Sequence, residues 1–477
     1  MKKNIYRLRV VCAVMLALFC TTSCNDWLEV KPKTEEEADK LFSTLDGFKS
    51  ALAGVYIGMS QTELYGREMT FGMVGVLGQE WGSGSDLGNQ YSAYSYLLNY
   101  NYEQVVSKAL IDAVWNKMYE GIANVNTLIQ YSDLKREVLG DYYGVVRGEA
   151  LALRAYMHFD LLRLFAPYDF SAEAKVAIPY VLEAKPAIAP QLTPTKFVEY
   201  ALKDVETALE LLKSDPILTG EDVSGVDNGY LANRNFHLNY YAVTALLARV
   251  QLYAGNLPDA LEAAREIVGE PGSEPVAPFS LTTAAVTDER LFDSELLFAL
   301  EEGKMQDNID VYFGESVIKN GITNSSTALS ISINNRNKLF AQQDPADDDY
   351  RLKLWFQETN SATAVMPGKY VNVGCIPLIR LSELYYIAAE CSANQGLAYL
   401  NTLRAHRGLA AMTEVTDLQA EIAKEYSKEF MCEGQMFYYY KRLGLKRIGV
   451  YRTVAIEPEE VYVIPLPDDE LDFGLIE

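Results

Sequence analysis

Apolar residues recur at helical spacing over most of this chain, and the clearest case lies at 194–213. There Phe197, Ala201, Val205, Ala208 and Leu212 step by three or four along one face, while Glu199 and Lys203 pair four apart on the other. Pro194 opens this helix and Pro216 follows it. The same spacing predicts helices over 104–130, 141–165 and 421–442. In the second, GEALALRAYMHFDLLRLF is apolar nearly all round, the mark of a buried helix. Residues 239–268 hold two helices broken at Gly255–Asn256, with Pro258 in the first turn of the second. Alanines 242, 245, 248, 260 and 264 let that pair approach closely. Residues 379–408 repeat the idea with a shortened turn at Gly396.

These pairs resemble tetratricopeptide-type hairpins, but they are spread along the chain rather than tandem. Between them lie irregular stretches at 65–103, 166–193, 217–237, 270–291 and 303–378, rich in Asn, Gly, Ser and Pro. Leu296–Leu300 reads as a short strand. Loops this long in a compact protein are usually functional. The expected fold is therefore mostly α: a tetratricopeptide-like helical-hairpin scaffold carrying large irregular loops with a few short strands.

The first 23 residues read as an address. A basic segment (MKKNIYRLR) precedes the apolar run Val10–Phe19, too short to span a bilayer and proportioned like a secretory signal. TTSC follows, and small residues before Cys24 resemble a bacterial lipoprotein box. Cys24 is expected to carry the lipid, several acyl chains on one Cys holding a protein stably at a membrane. Residues 24–40 then form a tether and the start of the first helix, and 24–477 one helical domain.

Charge narrows the partners. The formal charge is −23; removing residues 1–23, with four cations and no acid, moves it to −27. Such a surface repels nucleic acid and anionic lipid. Beyond the signal and Cys24, Cys375, Cys391 and Cys432 remain at no metal-ligand spacing, in patterns that read as buried helix. No metal site, cofactor or disulfide framework is implied.

A series of short motifs runs in a fixed order from Cys24 onward. CNDWLEVKP, FSTLDGFKSALAGVY, WNKMYEGIANVNTLI, GEALALRAYMHFDLLRLFAPYD, IPYV and TPTKFVEYALKDVETALELL come first. ALLARVQLYAGNLPDALEAA, SELLFALEE, DDDYRLKLWF, GKY, IRLSELYYIAAE, NTLRAHRG, KEFMCEG and VYVIPLPDDEL follow. Together they resemble the SusD/RagB-like outer-membrane lipoproteins of Bacteroidetes. The resemblance implies a non-catalytic protein at the cell outer membrane, lid to a plugged TonB-dependent barrel of the SusC/RagA type. Such proteins capture oligosaccharides, or in some branches peptides, for the barrel. Two departures stand out: Tyr426 and Gln435 where similar proteins have Arg, and the short turn near Gly396.

The residues themselves agree. HExxH, GxSxG and P-loop motifs are absent, and His158, His237 and His406 are far apart in sequence. A glycosidase needs only two carboxylates, so a surface hydrolase stays as an alternative; so does a tetratricopeptide-type assembly scaffold. DPADDDY (344–350) lacks calcium-loop spacing and reads as a solvated turn, with Arg351 paired to a nearby acid. Sugar binding needs aromatic faces plus amide, carboxylate or Arg groups. Residues 79–102 supply Trp81 as platform, Asp86, Asn89 and Gln90 as polar partners, and Tyr91 or Tyr94 beside them. The resemblance places one side of the ligand site there. Tyr312, Phe313, Asn334 and Arg336 in 303–340 are candidates for the other side. Tyr438, Tyr439 and Tyr440, consecutive on a helix, are expected mostly in the core.

Overall fold

The computed structural model describes residues 33–81, 92–168, 178–185, 188–283, 289–303, 305–313, 329–341, 348–358, 363–451 and 453–476. The expected helical scaffold is present. Helices α1 (Lys33–Leu41) and α2 (Leu45–Met59) open the chain, the second capped by Thr44, whose hydroxyl accepts from Gly47 N–H. After the short α3 (Met73–Leu77) and α4 (Ser92–Leu97) comes α5 (Val105–Leu134), 30 residues and about 45 Å long. Ile111, Val114, Met118, Ile122, Val125 and Leu128 form its buried stripe. In α6 (Tyr143–Phe165) burial continues round the helix, as its unbroken apolar composition requires. A Cβ on Gly148 would stand 2.8 Å from Leu212, so α7 (Pro194–Leu211) and the turn after it can sit this close only on a glycine.

Strands β1 (Ile178–Pro179) and β2 (Pro190–Leu192) pair between α6 and α7. Their segment is tied to α6. Arg154 makes two 2.7 Å bonds to Asp204, and Tyr180 donates to the same carboxylate at 2.6 Å. His158 stacks on Tyr180 and its Nε2 accepts from Val181 N–H, leaving Nδ1–H to donate to Arg154 O. Burial lowers this imidazole to about pKa 3, so the ring is neutral, a structural peg.

The hairpin at 239–268 resolves into α8 (Tyr240–Tyr253) and α9 (Leu257–Val268), broken where expected, with Gly255 at φ +82°. Strand β3 (Leu296–Glu301) follows, then α10 (Met305–Tyr312), β4 (Ile331–Ser332), α11 (Ile333–Leu339) and α12 (Tyr350–Leu354). Next come β5 (Phe356–Glu358), β6 (Ala364–Pro367) and β7 (Cys375–Arg380). β4, β6 and β5 form an antiparallel sheet, and β3 pairs with β7 from Leu296↔Arg380 to Glu301↔Cys375. The second hairpin is α13 (Leu381–Cys391) and α14 (Gly396–Ala405). Helices α5 to α9 pack in succession, and α13 joins the row against α9. Segments dispersed in sequence thus become one stack in space.

Near the C-terminus the structure corrects the expected single helix at 421–442. It is two, α15 (Leu418–Glu429) and α16 (Gln435–Arg442), separated by a turn in which Cys432 and Gly434 have φ of +65° and +69°. A Cβ on Gly434 would lie 2.5 Å from Met69 O, so the turn needs a residue that is left-handed and side-chain-free. The cysteines are free but not helical throughout: Cys375 opens β7 and Cys432 lies in this turn, while Cys391 ends α13. The two residues that stand where similar proteins have Arg are both held: Tyr426 stacks on Tyr439 at 4.9 Å, and Gln435 accepts from Arg163. Tyr438, Tyr439 and Tyr440 are buried, as expected. Asp349 caps α12 and pairs with Arg351; residues 344–347 lie outside the described residues. Past a small hairpin of β8 (Arg447–Ile448) and β9 (Val454–Ala455), α17 (Asp468–Phe473) leads into β10 (Leu475–Ile476), which pairs in parallel with β2.

Candidate ligand site

Residues 65–81 were expected to belong to an irregular, displayed loop, 65–103. Instead they are almost wholly buried. Irregular backbone can be buried only if its polar groups are satisfied internally, and here turns do this: Met69 N–H donates to Leu64 O, Gly72 to Arg67 O and Val74 to Glu68 O. Glu68 completes the arrangement. Its fully buried carboxylate accepts from Met73 N–H, Tyr94 OH and Arg67 Nε at 2.9, 2.9 and 2.6 Å. Arg67 in turn donates to Tyr312 OH at 2.7 Å.

Around this carboxylate the two expected halves of the site do meet, but as a buried floor. Phe71 packs against Tyr312 and Phe313, and Trp81 stacks on Phe313 with ring centroids 6.0 Å apart. Trp81 Nε1–H donates to Phe71 O at 2.9 Å. Trp81, Tyr94, Tyr312 and Phe313 are 0%, 0%, 3% and 1% exposed. This corrects the expectation that Trp81 is an exposed platform flanked by Tyr94. The glycines lie after it, but its indole turns into the core, where Phe71 O satisfies its N–H. Aromatics buried to this degree have no free face for a sugar. Asn334 is exposed, and Arg336, beside it on α11, pairs with Glu358 at 2.8 Å. That corner is joined to the floor through Gln357, which donates to Phe313 O. Asp86, Asn89, Gln90 and Tyr91 lie outside the described residues.

Sequence reasoning missed Arg67, Glu68 and Phe71, though a charged pair inside the apolar run YGREMTFGM is itself a signal of a satisfied buried pair. It also missed Glu80. One Glu80 oxygen accepts from Cys432 N–H at 2.8 Å, and the other has no hydrogen-bond partner among the described residues. Nearby, Lys369 pairs with Glu433 and sits 3.8 Å over the Trp355 ring.

This geometry predicts a pH profile. Burial raises the Glu80 carboxyl to about 8, against the pull of the Cys432 amide and Lys369. The folded state therefore holds that proton more tightly than the unfolded chain, and stability is lost as pH rises from about 4.5 through 8. Glu149 and Glu425 behave oppositely. Burial opposes their ionisation, but Arg234 and Arg351 outweigh it and hold both near 2. Their contribution is present above about 4.5 and lost as pH falls towards 2. Burial lowers Lys369 to about 8, so its penalty is relieved only above that pH. Melting temperature should peak near pH 5–6, and Glu80→Gln should flatten the decline up to pH 8. A wild-type profile already flat from pH 5 to 8 would contradict this assignment.

Among the described residues no group of three or more His, Cys, Asp or Glu is placed to hold a metal ion, and no helix is long and apolar enough to cross a membrane. Two cavities of about 640 Å³ open away from the aromatic floor. One lies between 216–224 and 277–279; the other between the start of α5, Ile188 and α17.

Two family models match the chain in succession. One, described as starch-binding associating with outer membrane, covers residues 26–252, and that of the SusD family covers 287–465. No curated protein matches. Among solved structures, a SusD superfamily protein from Bacteroides thetaiotaomicron is similar at 24% identity and TM-score 0.68, covering 91% of this chain and 99% of its own. A SusD-like carbohydrate binding protein from Bacteroides vulgatus aligns at 16% identity and TM-score 0.68, over 90% and 96% of the two chains. A laminarin binding SusD-like protein aligns at 18% and 0.61, over 90% and 98%.

Proposed function

The chain belongs to the SusD/RagB-like family, and from that premise we propose that it is a non-catalytic lipoprotein of the outer-membrane surface, anchored through Cys24, that binds oligosaccharides and passes them to a SusC/RagA-like TonB-dependent transporter. The observation that carries this reading is the pair of consecutive family matches, one named for starch binding. The likeness in fold to carbohydrate- and laminarin-binding proteins supports it. In this reading the buried aromatic floor serves as a support, and the ligand's hydroxyls are assigned to Asp86, Asn89, Gln90 and Tyr91 of the 79–102 segment and to Asn334 and Arg336 of α11. Amide, carboxylate and guanidinium groups suit sugar hydroxyls, and an acidic protein suits a neutral glycan better than an anionic one.

Calorimetry against starch, laminarin and a wider panel of glycans and peptides tests this. Saturable binding of at least one glycan is expected. Asn89→Ala together with Gln90→Ala should weaken it about tenfold or more while leaving the melting temperature in place. A folded protein that binds no glycan, or binds peptides alone, would overturn the oligosaccharide reading.

A further inference from the structure

Large apolar side chains that stay exposed are not scattered evenly over this molecule. Among the described residues fourteen are exposed, and seven of them belong to three chain segments: Val105 and Val106, Leu182 and Ile188, and Leu471, Phe473 and Leu475. Val105, Ile188, Leu471 and Phe473 are at least 60% exposed. The three segments are held together. Lys108 near the start of α5 reaches Asp468 of α17 at 3.3 Å, Gln191 donates to Glu470 at 2.7 Å, and β10 pairs with β2 at Leu475↔Pro190. Between them lies one of the two 640 Å³ grooves, with Trp115 and Tyr119 in its wall and Ile188 and Phe473 at its rim.

The rim is acidic. Asp112, Asp468 and Asp469 line the groove and Asp472 lies one residue before Phe473, whereas Lys108 is shared between Glu103 and Asp468. The Asp112 carboxyl is raised by partial burial and by Asp468, so negative charge accumulates here against resistance.

Three occupants can be compared. A glycan needs open aromatic faces among groups that match its hydroxyls; here Trp115 is buried and Tyr119 is tied by its hydroxyl to Pro179 O, which leaves Phe473 as the open ring beside aliphatic side chains and carboxylates. A bilayer with anionic headgroups would meet repelling carboxylates. A protein surface with aliphatic side chains ringed by Lys and Arg matches both features, because contiguous exposed apolar area rimmed by charge is what protein interfaces present.

We infer that this face, built from the start of α5, Leu182 with residues 188–190, and residues 468–475, is where the protein docks on the extracellular surface of its transporter, against a basic-rimmed apolar patch. The inference rests on the transporter reading given above and adds the face that carries it.

Affinity-tagged full-length protein, extracted from native membranes in a mild detergent, tests both. With the wild type a TonB-dependent barrel should co-purify, identified by mass spectrometry. Leu471→Ser with Phe473→Ser, and separately Asp468→Lys with Asp469→Lys, should each reduce its recovery at least tenfold. Their melting temperatures should move little, since these side chains are exposed and the Lys108–Asp468 pair lost in the second variant is a surface contact. Val226→Ser, exposed beside the distant Lys49–Asp227 pair, should recover the barrel in full. If the wild type brings down no barrel, the transporter reading fails and this inference with it. If the barrel comes down equally with wild type and both double variants, the partnership stands and the docking face is elsewhere.

Discussion

Glu429→Ala should destabilise the fold by about 3–5 kcal/mol, the usual cost of breaking a buried ion pair from one side. Glu429 is fully buried and its two oxygens serve three arginines. Oε1 accepts from Arg380 at 2.5 Å and Arg407 at 2.8 Å; Oε2 accepts from Arg407 at 2.9 Å and Arg351 at 3.2 Å. All three guanidiniums are themselves fully buried. Burial alone would raise this carboxyl, yet Arg407 and Arg380 hold it well below the usual carboxylate range, so the charge is present at any working pH. Removing it leaves three cations on Glu295, Asp349, Glu425 and Glu433, with donors facing an empty space. These arginines also join α12, β7, the end of α14 and α15, so the damage spreads over the C-terminal half. Urea unfolding of the variant measures the cost. The exposed pair Glu210–Lys213 is the control: Glu210→Ala should change stability by under about 1 kcal/mol. A Glu429→Ala midpoint as close to wild type as that control would show that the network carries no net stability.

Trp81→Ala should cost about 3–5 kcal/mol as well, by a different route. The indole is fully buried, stacks on Phe313 and satisfies Phe71 O. Truncation opens a cavity and orphans a buried carbonyl at once. Glycan binding at the proposed site should fall too, but with the melting temperature, because the aromatic floor gives way. Trp81→Phe should recover much of the stability by refilling the space, though not the hydrogen bond. Loss of binding with an unmoved melting temperature would instead mark Trp81 as a direct ligand contact.

The contrast between these two predictions and the sequence shows where local pattern stops being informative. Helices α5 to α9 and the hairpin at 255–256 were legible because each stripe, cap and breaker acts within a few residues. So was the strand at 296, although its residues LLFAL are apolar at every position and buried on both faces rather than alternating. The family was legible from the order of its motifs, which needs no geometry. The direction in which Trp81 points was not. Glycines after a tryptophan suggest exposure, and only the arrival of Phe313, more than two hundred residues away, turns the ring inward. The break between α15 and α16 was hidden for a related reason. Gly434 sits in a helix-like pattern, and the close approach of Met69 O, from a segment far upstream, is what demands the left-handed turn. Glu429 reads in sequence as one more acid among 65. Its three arginines stand 22, 49 and 78 positions away, and pairing over such distances depends on chain topology. Local periodicity, caps and charge were thus settled by sequence alone. Which irregular segments are buried, which carboxylates lose water, and which apolar residues remain outside were decided only when distant segments packed, because burial belongs to contacts between segments.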